Sequence, residues 1–147
     1  MSAYLASRED GLRTYCTWEN GFRQGREGNS YGGVCAPAEE RDFLPAYEDG
    51  RRIHAVEQAV ASAESALNSA ISRIDNREDK LEAKQRELRQ DGLTDEERRR
   101  IRDRIREVRD EIRDARRDAR QAEEALHYAE IEARAVRGAI GGRYGVW

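Results

Sequence analysis

Apolar residues in the C-terminal half of the chain recur at alternating spacings of four and three. This is the heptad pattern of a coiled-coil helix, in which one narrow apolar stripe faces a partner helix. The stripe runs without interruption through Ile101, Ile105, Val108, Ile112, Ala115, Ala119, Ala122, Leu126, Ala129, Ala133, Val136 and Ile140. The pattern predicts one long helix over this half of the chain.

The preceding segment has the same heptad pattern. Its apolar stripe consists of Val56, Val60, Ala63, Leu67, Ala70, Ile74, Arg77, Leu81, Lys84 and Leu88, with two basic residues among the apolar ones. Asp91-Gly92 supplies a helix stop, and Thr94 followed by Glu97 has the spacing of a capping box. The chain is therefore predicted to be mostly one helical hairpin. We refer to the two stripes together as the seam.

Folding the chain back at Gly92 makes the two stripes face each other. In that register every seam residue meets another seam residue. The predicted pairs are Leu81 with Ile105, Ile74 with Ile112, Leu67 with Ala119, and Val60 with Leu126. The predicted fold class is all-α, a long antiparallel coiled-coil hairpin with a small glycine-rich, disulfide-closed helical module at its N-terminal end.

Glycine, proline and cysteine mark the limits of the parts. Pro45 suits the first turn of a helix, and the glycines from Gly138 onward suit the end of one. The predicted organisation is a Gly/Cys-rich module of short helices and loops (1–44), a first long helix (45–90), a turn (91–94), a second long helix (95–138) and a Gly/aromatic tail (139–147).

A short motif, an acidic residue followed by Asp or Asn, Gly and a nearby Arg, occurs three times, around Gly11, Gly21 and Gly50. One interpretation is that each copy ends a short helix, since glycine accepts the left-handed conformation of a helix stop. The alternative is a degenerate repeat that builds a shared anion site. Its arginines would be Arg13, Arg23 and Arg52.

The apolar stripe widens near the open end of the predicted hairpin. The additional residues are Ala55, Ala59, Tyr128, Ile131 and Ala135. One interpretation is that the N-terminal module and the tail from Tyr144 to Trp147 cover this surface. The other is a dimer or partner surface.

Charge is abundant but mixed. Charged residues make up 39% of the chain, and the formal net charge is only −3. Acidic residues precede arginines at helical neighbour spacing through the arginine-dense stretch 95–121, so those arginines are expected to be paired on their own helix. The sequence thus predicts no nucleic-acid partner, and no apolar run is long enough to predict a transmembrane span.

The chain resembles a known bacterial family over nearly its whole length. The residues that carry the resemblance are Tyr15-Cys16-Thr17, Asn20-Gly21, Gly25, Gly28, Tyr31, Gly33-Val34-Cys35, Phe43-Leu44, Tyr47 and Gly50, followed by a charged helical hairpin. This block resembles the family catalogued as domain of unknown function 2799, whose members look like small envelope lipoproteins. The resemblance implies a location in the periplasm or cell envelope, with a lipid anchor on the parent protein, and it implies no activity.

Cys16 and Cys35 are the two cysteines of the chain. An even count, a loop-rich module and an exported family together favour a disulfide between them. A metal site at the pair would need two more ligands, and His54 is the nearest imidazole in sequence. The disulfide is the interpretation we adopt, and no metal or cofactor is predicted.

The sequence shows no nucleophile accompanied by a base and an orienting partner, so we expect a protein that is not an enzyme. The favoured hypothesis is an interaction or scaffold module with a protein partner, or self-association, through the hairpin. The alternative is a binding module for a small anionic or glycan ligand. Its candidate ligand residues are Asn20, Arg23, Arg26, Asn29 and Tyr31.

Overall fold

A computed structural model describes residues 2–146, and Trp147 of the predicted tail lies outside the described residues. The helices are α1 (Ser2–Tyr15), α2 (Trp18–Arg26), α3 (Pro37–Leu88) and α4 (Asp95–Tyr144). Residues 2–146 contain no strand, and Cys16 is bonded to Cys35. The predicted all-α fold class is therefore confirmed.

The chain forms two compact units. Unit 1 combines the residues up to Val60 with those from Tyr128 onward, and unit 2 is Ala61–His127. Unit 1 contains α1, α2, the first part of α3 and the last part of α4. Unit 2 contains the remainder of α3 and α4 with the connection between them.

In unit 2 the heptad pattern determines burial. Every predicted seam position between residues 61 and 127 is buried or half-buried, and most of the other positions are exposed. The buried ones are Ala63, Ala70, Ile101, Ile105, Val108, Ile112, Ala115 and Ala122. The predicted seam is thus the apolar contact between the two helices in this unit.

Ion pairs join α3 and α4 on the flanks of the seam in unit 2: Arg116 lies 2.9 Å from Glu78, and Arg73 lies 3.1 Å from Asp118. Near the connection, Arg98 Nη1 donates to the Leu88 carbonyl oxygen at 3.3 Å. The pairing of individual seam residues, Leu81–Ile105, Ile74–Ile112 and Leu67–Ala119, stays a prediction.

In unit 1, Ala46, Ile53 and Ile140 share one apolar cluster, and Val60 and Ala133 line one groove. The predicted pair Val60–Leu126 stays a prediction, because a heptad pattern looks the same after a shift of seven residues. The connection between the long helices runs from Arg89 to Thr94 and is longer than the predicted turn.

The connection has the predicted capping chemistry. The Glu97 backbone N–H donates to Thr94 Oγ1 at 3.1 Å, and the Thr94 backbone N–H donates to Glu97 Oε2 at 3.1 Å. Gly92 has φ of +83°, a conformation that glycine adopts without steric cost. The capping box therefore forms as the sequence indicates, and α4 begins at Asp95.

Both long helices extend beyond their predicted limits. The first begins at Pro37 instead of Pro45, with Pro45 inside it. An internal proline costs about 3 kcal/mol, and here the burial of the neighbouring Phe43 and Ala46 offsets that cost. The second helix continues past Gly138 to Tyr144, because Ile140 and Tyr144 pack in unit 1.

The repeated glycines do not end helices, contrary to the first interpretation. Gly11, Gly21 and Gly50 lie inside α1, α2 and α3. Gly21 and Gly25, four residues apart on one face of α2, lie against the backbone of α3. A Cβ on Gly21 would lie 2.6 Å from the Phe43 carbonyl oxygen, and one on Gly50 would lie 2.7 Å from the Arg26 nitrogen. These glycines let α2 and α3 approach at backbone distance.

Two apolar clusters fill unit 1. The first surrounds the disulfide and contains Cys16, Cys35, Phe43 and Tyr47, with Leu12, Tyr15, Tyr31 and Leu44 against it. The second contains Phe22, Ala46, Ile53 and Ile140, with Val136, Tyr144 and Val146 against it. The disulfide is therefore part of the core that joins α1 to α3.

The residues that widen the stripe are not covered. Ala55, Ala59 and Ala135 are exposed, and Tyr128 and Ile131 are 63% and 48% exposed. Tyr144 and Val146 of the predicted tail pack on the second cluster instead. Within the described residues, the module and the tail up to Val146 therefore leave Ala55, Ala59, Ile131 and Ala135 exposed, and the part of this interpretation that falls on Trp147 lies outside the described residues.

The glycine contacts make a testable prediction. Gly25→Ala should destabilise the protein by about 1 to 3 kcal/mol, because the added methyl group meets the α3 backbone at Tyr47 and Arg51. Gly138→Ala is the matched control: this helical glycine has open space around it, so the variant should gain about 0.5 to 1 kcal/mol. Urea denaturation followed by circular dichroism measures both. Equal effects of the two substitutions would contradict the close α2–α3 contact.

The disulfide makes a second prediction. It spans 19 residues of sequence, and removing it with Cys16→Ser and Cys35→Ser should lower the free energy of unfolding by about 3 kcal/mol. A reductant should lower the urea midpoint of the parent protein and leave that of the double variant unchanged. A parent midpoint that does not respond to reduction would show that the bond contributes nothing to stability.

Candidate functional site

The five predicted ligand residues all lie in unit 1, in two local groups. Asn20, Arg23 and Arg26 are on α2, and Asn29 and Tyr31 are on the connection between α2 and α3. Thr17 caps α2 by accepting a hydrogen bond from the Asn20 backbone N–H at 3.2 Å. This cap fixes the first turn of α2, from which the first group projects.

Asn20 is buried and fully engaged. Its side-chain Nδ2 donates to the Tyr15 carbonyl oxygen at 2.8 Å, which ties the end of α1 to α2. Its Oδ1 accepts from Arg23 Nη2 at 2.7 Å and from Gln24 Nε2 at 3.3 Å. Because a buried amide without partners is costly, this network explains why an asparagine occupies the position. The side chain of Asn20 holds the module together.

Tyr31 and Asn29 are also tied into the module. The Tyr31 hydroxyl donates to Glu40 Oε2 at 2.9 Å and accepts from the Cys35 backbone N–H at 3.2 Å. Burial and the hydrogen bond to Glu40 raise the pKa of Tyr31 above its usual range. Asn29 Nδ2 donates to Gln24 Oε1 at 2.8 Å. These bonds hold the connection beside the disulfide.

Arg26 lies where α2 meets α3. Its guanidinium is 3.7 Å from Glu57 Oε1, a carboxylate oxygen that also accepts from Arg137 Nη2 at 3.1 Å. The Arg26 carbonyl oxygen lies 3.0 Å from His54 Nδ1. His54 therefore contacts the end of α2, and the structure places it in a packing role.

Only part of the predicted ligand set lines a common cavity. Arg23 and Arg26 line a cleft of about 480 Å³ together with Phe22, Glu27, Glu57 and Val146. The carboxylates of Glu27 and Glu57 oppose an anion there. Arg23 and Arg52, two of the arginines in the proposed anion repeat, have separate partners, Asn20 and Asp49. Whether any ligand binds at these residues stays a prediction.

One cluster could not be foreseen from the sequence. The Tyr144 hydroxyl donates to Asp49 Oδ2 at 2.7 Å, and Arg143 Nη1 lies 3.4 Å from the same oxygen. The Tyr144 ring stacks on Phe22 with centroids 4.1 Å apart, and Trp18 lies 5.7 Å away in a tilted contact. Asp49 and Tyr144 are far apart in the chain, and the sequence gives no local signal that they meet.

The electrostatics of this cluster favour a structural role. Burial, followed by the hydrogen bond to Asp49, raises the pKa of Tyr144 to about 12. The phenol therefore stays protonated at neutral pH and donates to the carboxylate, which locks the end of α4 onto α3. The adjoining cleft of about 300 Å³ is lined by Trp18, Arg41, Asp42, Pro45, Ala46, Arg143 and Tyr144.

Among residues 2–146, no group of three or more His, Cys, Asp or Glu side chains could hold a metal ion. In the same range, no helix combines the length and apolar character needed to cross a membrane.

The Tyr144–Asp49 hydrogen bond predicts alkaline sensitivity. The folded-state pKa of about 12 lies above the usual value of 10.0, so the folded state keeps a proton that the unfolded chain loses above pH 10. This contribution to stability is complete below pH 10 and is lost as the pH rises towards 12. The free energy of unfolding of Tyr144→Phe should fall less steeply than that of the parent over this range, in urea denaturation at pH 8, 10 and 11.5. Parallel pH profiles would contradict the prediction.

Comparison with known proteins gives one match. No curated protein and no solved structure matches the chain. The family model described as "Protein of unknown function (DUF2799)" matches residues 1–52. The matched region contains α1, α2, both cysteines and the glycines of the α2–α3 contact. The resemblance to the DUF2799 family is therefore confirmed over residues 1–52 of this chain. The extension of the resemblance over nearly the whole chain stays a prediction beyond residue 52.

Proposed function

We propose that this protein is a non-catalytic interaction or scaffold module of the bacterial cell envelope, which presents the surface of its long helices to a protein partner. The observation that carries the proposal is the burial pattern of unit 2. Seam residues take up the apolar contact between α3 and α4, and most of the remaining surface of both helices is exposed. Such a surface suits recognition along the length of the helices.

The envelope location is supported by two findings. A disulfide persists in oxidising compartments such as the bacterial periplasm and is rare in the cytosol. The match of residues 1–52 to DUF2799 agrees with the resemblance to envelope lipoproteins. On this proposal, the parent protein is held at the membrane by a lipid and the long helices reach a partner in the envelope.

The structural use of the polar residues in unit 1 supports a non-catalytic role. The side chains of Asn20, Tyr31 and Tyr144 each bond to another part of the module. His54 contacts a backbone carbonyl oxygen of α2. The alternative function, binding of a small anion or glycan, is less well supported, because the carboxylates of Glu27 and Glu57 line the same cleft as Arg23 and Arg26.

The proposal can be tested in the native cell by photo-crosslinking. A variant in which a short Gly/Ser turn replaces Gln90–Glu97 should lose crosslinks from probes placed in unit 2, because the proposal includes the α3–α4 connection and the first turn of α4 in the surface presented to the partner. The control replaces Gly138 by Ala, which alters unit 1 without removing surface. Circular dichroism and alkylation of the cysteines confirm that each variant is folded. Crosslinks that persist unchanged after the replacement would contradict the proposal.

A further inference from the structure

One flank of the seam on α4 is arginine over the stretch 102–120 in unit 2. Each position that directly follows a seam residue between Ile101 and Ala119 carries this side chain. We call this set the arginine edge: Arg102, Arg106, Arg109, Arg113, Arg116 and Arg120. At 1.5 Å per residue, the edge runs along about 27 Å of α4. The overall balance of charge in the chain conceals this local segregation, because acidic residues occupy other faces of the same helix.

The arginine edge borders a groove. A groove of about 640 Å³ is lined by the last four arginines of the edge, by Glu78 and by two seam residues, Leu81 and Ile112. Leu81 is only half-buried, and the aliphatic stems of the arginines add apolar surface beside it. The groove thus has an apolar floor and a cationic rim.

Acidic residues of the chain neutralise only half of the edge. Arg116 pairs with Glu78 on α3, while Arg106 and Arg113 pair with Asp103 and Asp110 on their own helix. All three arginines are more than half exposed, and ion pairs at such positions are weak. Among residues 2–146, no carboxylate oxygen lies within 4.0 Å of the guanidinium of Arg102, Arg109 or Arg120. The edge therefore has a surplus of accessible positive charge.

We infer that this groove binds an acidic amphipathic helix of a partner protein. The arginines alternate at spacings of four and three, which is the period at which one face of a second helix presents its side chains. Carboxylates at heptad spacing on the partner would lie along the edge, and its apolar residues would cover Leu81. This inference rests on the proposed function and specifies the chemistry of the partner.

The combination of charge and apolar floor favours a helix over a flexible polyanion. A polyphosphate or nucleic-acid strand would use the guanidinium groups and leave Leu81 uncovered. An amphipathic helix uses both features at once, as in grooves that receive the apolar face of a helix. The two occupants therefore differ in whether Leu81 contributes to binding.

Binding can be measured on the full chain with a synthetic probe. The probe is a fluorescent peptide of three heptads, with leucine at the two seam positions and glutamate at the positions that flank them. Fluorescence anisotropy at moderate salt should show micromolar binding. R109Q/R113Q/R116Q/R120Q should weaken it at least tenfold, and Leu81→Ala, tested separately, should weaken it severalfold.

The matched control removes the same charge elsewhere in unit 2. R86Q/R89Q/R99Q/R100Q changes four exposed arginines outside the edge and should alter the affinity less than twofold. Equal losses of affinity in the two quadruple variants would overturn the inference in favour of non-specific attraction. The same conclusion would follow if polyglutamate and polyphosphate bound as tightly as the amphipathic peptide. Absence of peptide binding would also overturn it. If crosslinks to a partner in the cell persist in that case, the scaffold proposal survives without this groove.

Discussion

Neither α3 nor α4 can bury its apolar stripe alone, because each has a single narrow row of apolar side chains on a helix that is otherwise polar. Within unit 2 that row is the source of apolar burial, with alanine layers at Ala70, Ala115 and Ala122 and larger residues at Val108 and Ile112. Alanine layers bury less surface than leucine layers would. The pairing of the two helices therefore depends on many modest contacts in register.

Unit 1 uses a different source of stability. Phe43 and Tyr47 pack around the disulfide, and glycines bring α2 to backbone distance from α3. Close approach of this kind increases packing contacts over a small area, and the disulfide restricts the unfolded chain. A short helix such as α2 would be marginal alone, so its stability comes from this contact.

The sequence predicts those features that depend on local periodicity or local chemistry. The seam and the Thr94–Glu97 cap follow from side-chain spacing within one helix. The disulfide follows from the even number of cysteines, the loop-rich module and the resemblance to an exported family. The register is specified less sharply by the same side-chain spacing, because a heptad pattern repeats after a shift of seven residues. The glycine contacts and the Tyr144–Asp49 bond depend on residues distant in sequence, and no local pattern reveals them. Pro45 suggests a helix start by its local preference alone, but it lies inside α3, next to the buried Phe43, and local sequence does not reveal that burial.

The distribution of roles along unit 2 bears on function. Seam residues provide the packing energy, and they are buried. The arginine edge lies beside the seam, where exposed ion pairs add little to folding. Weak pairs within the chain cost little to exchange for pairs with a partner, so charges at these positions can serve recognition without lowering the stability of the helix pair. The heptad repeat thus separates the positions that hold α3 and α4 together from those available for binding.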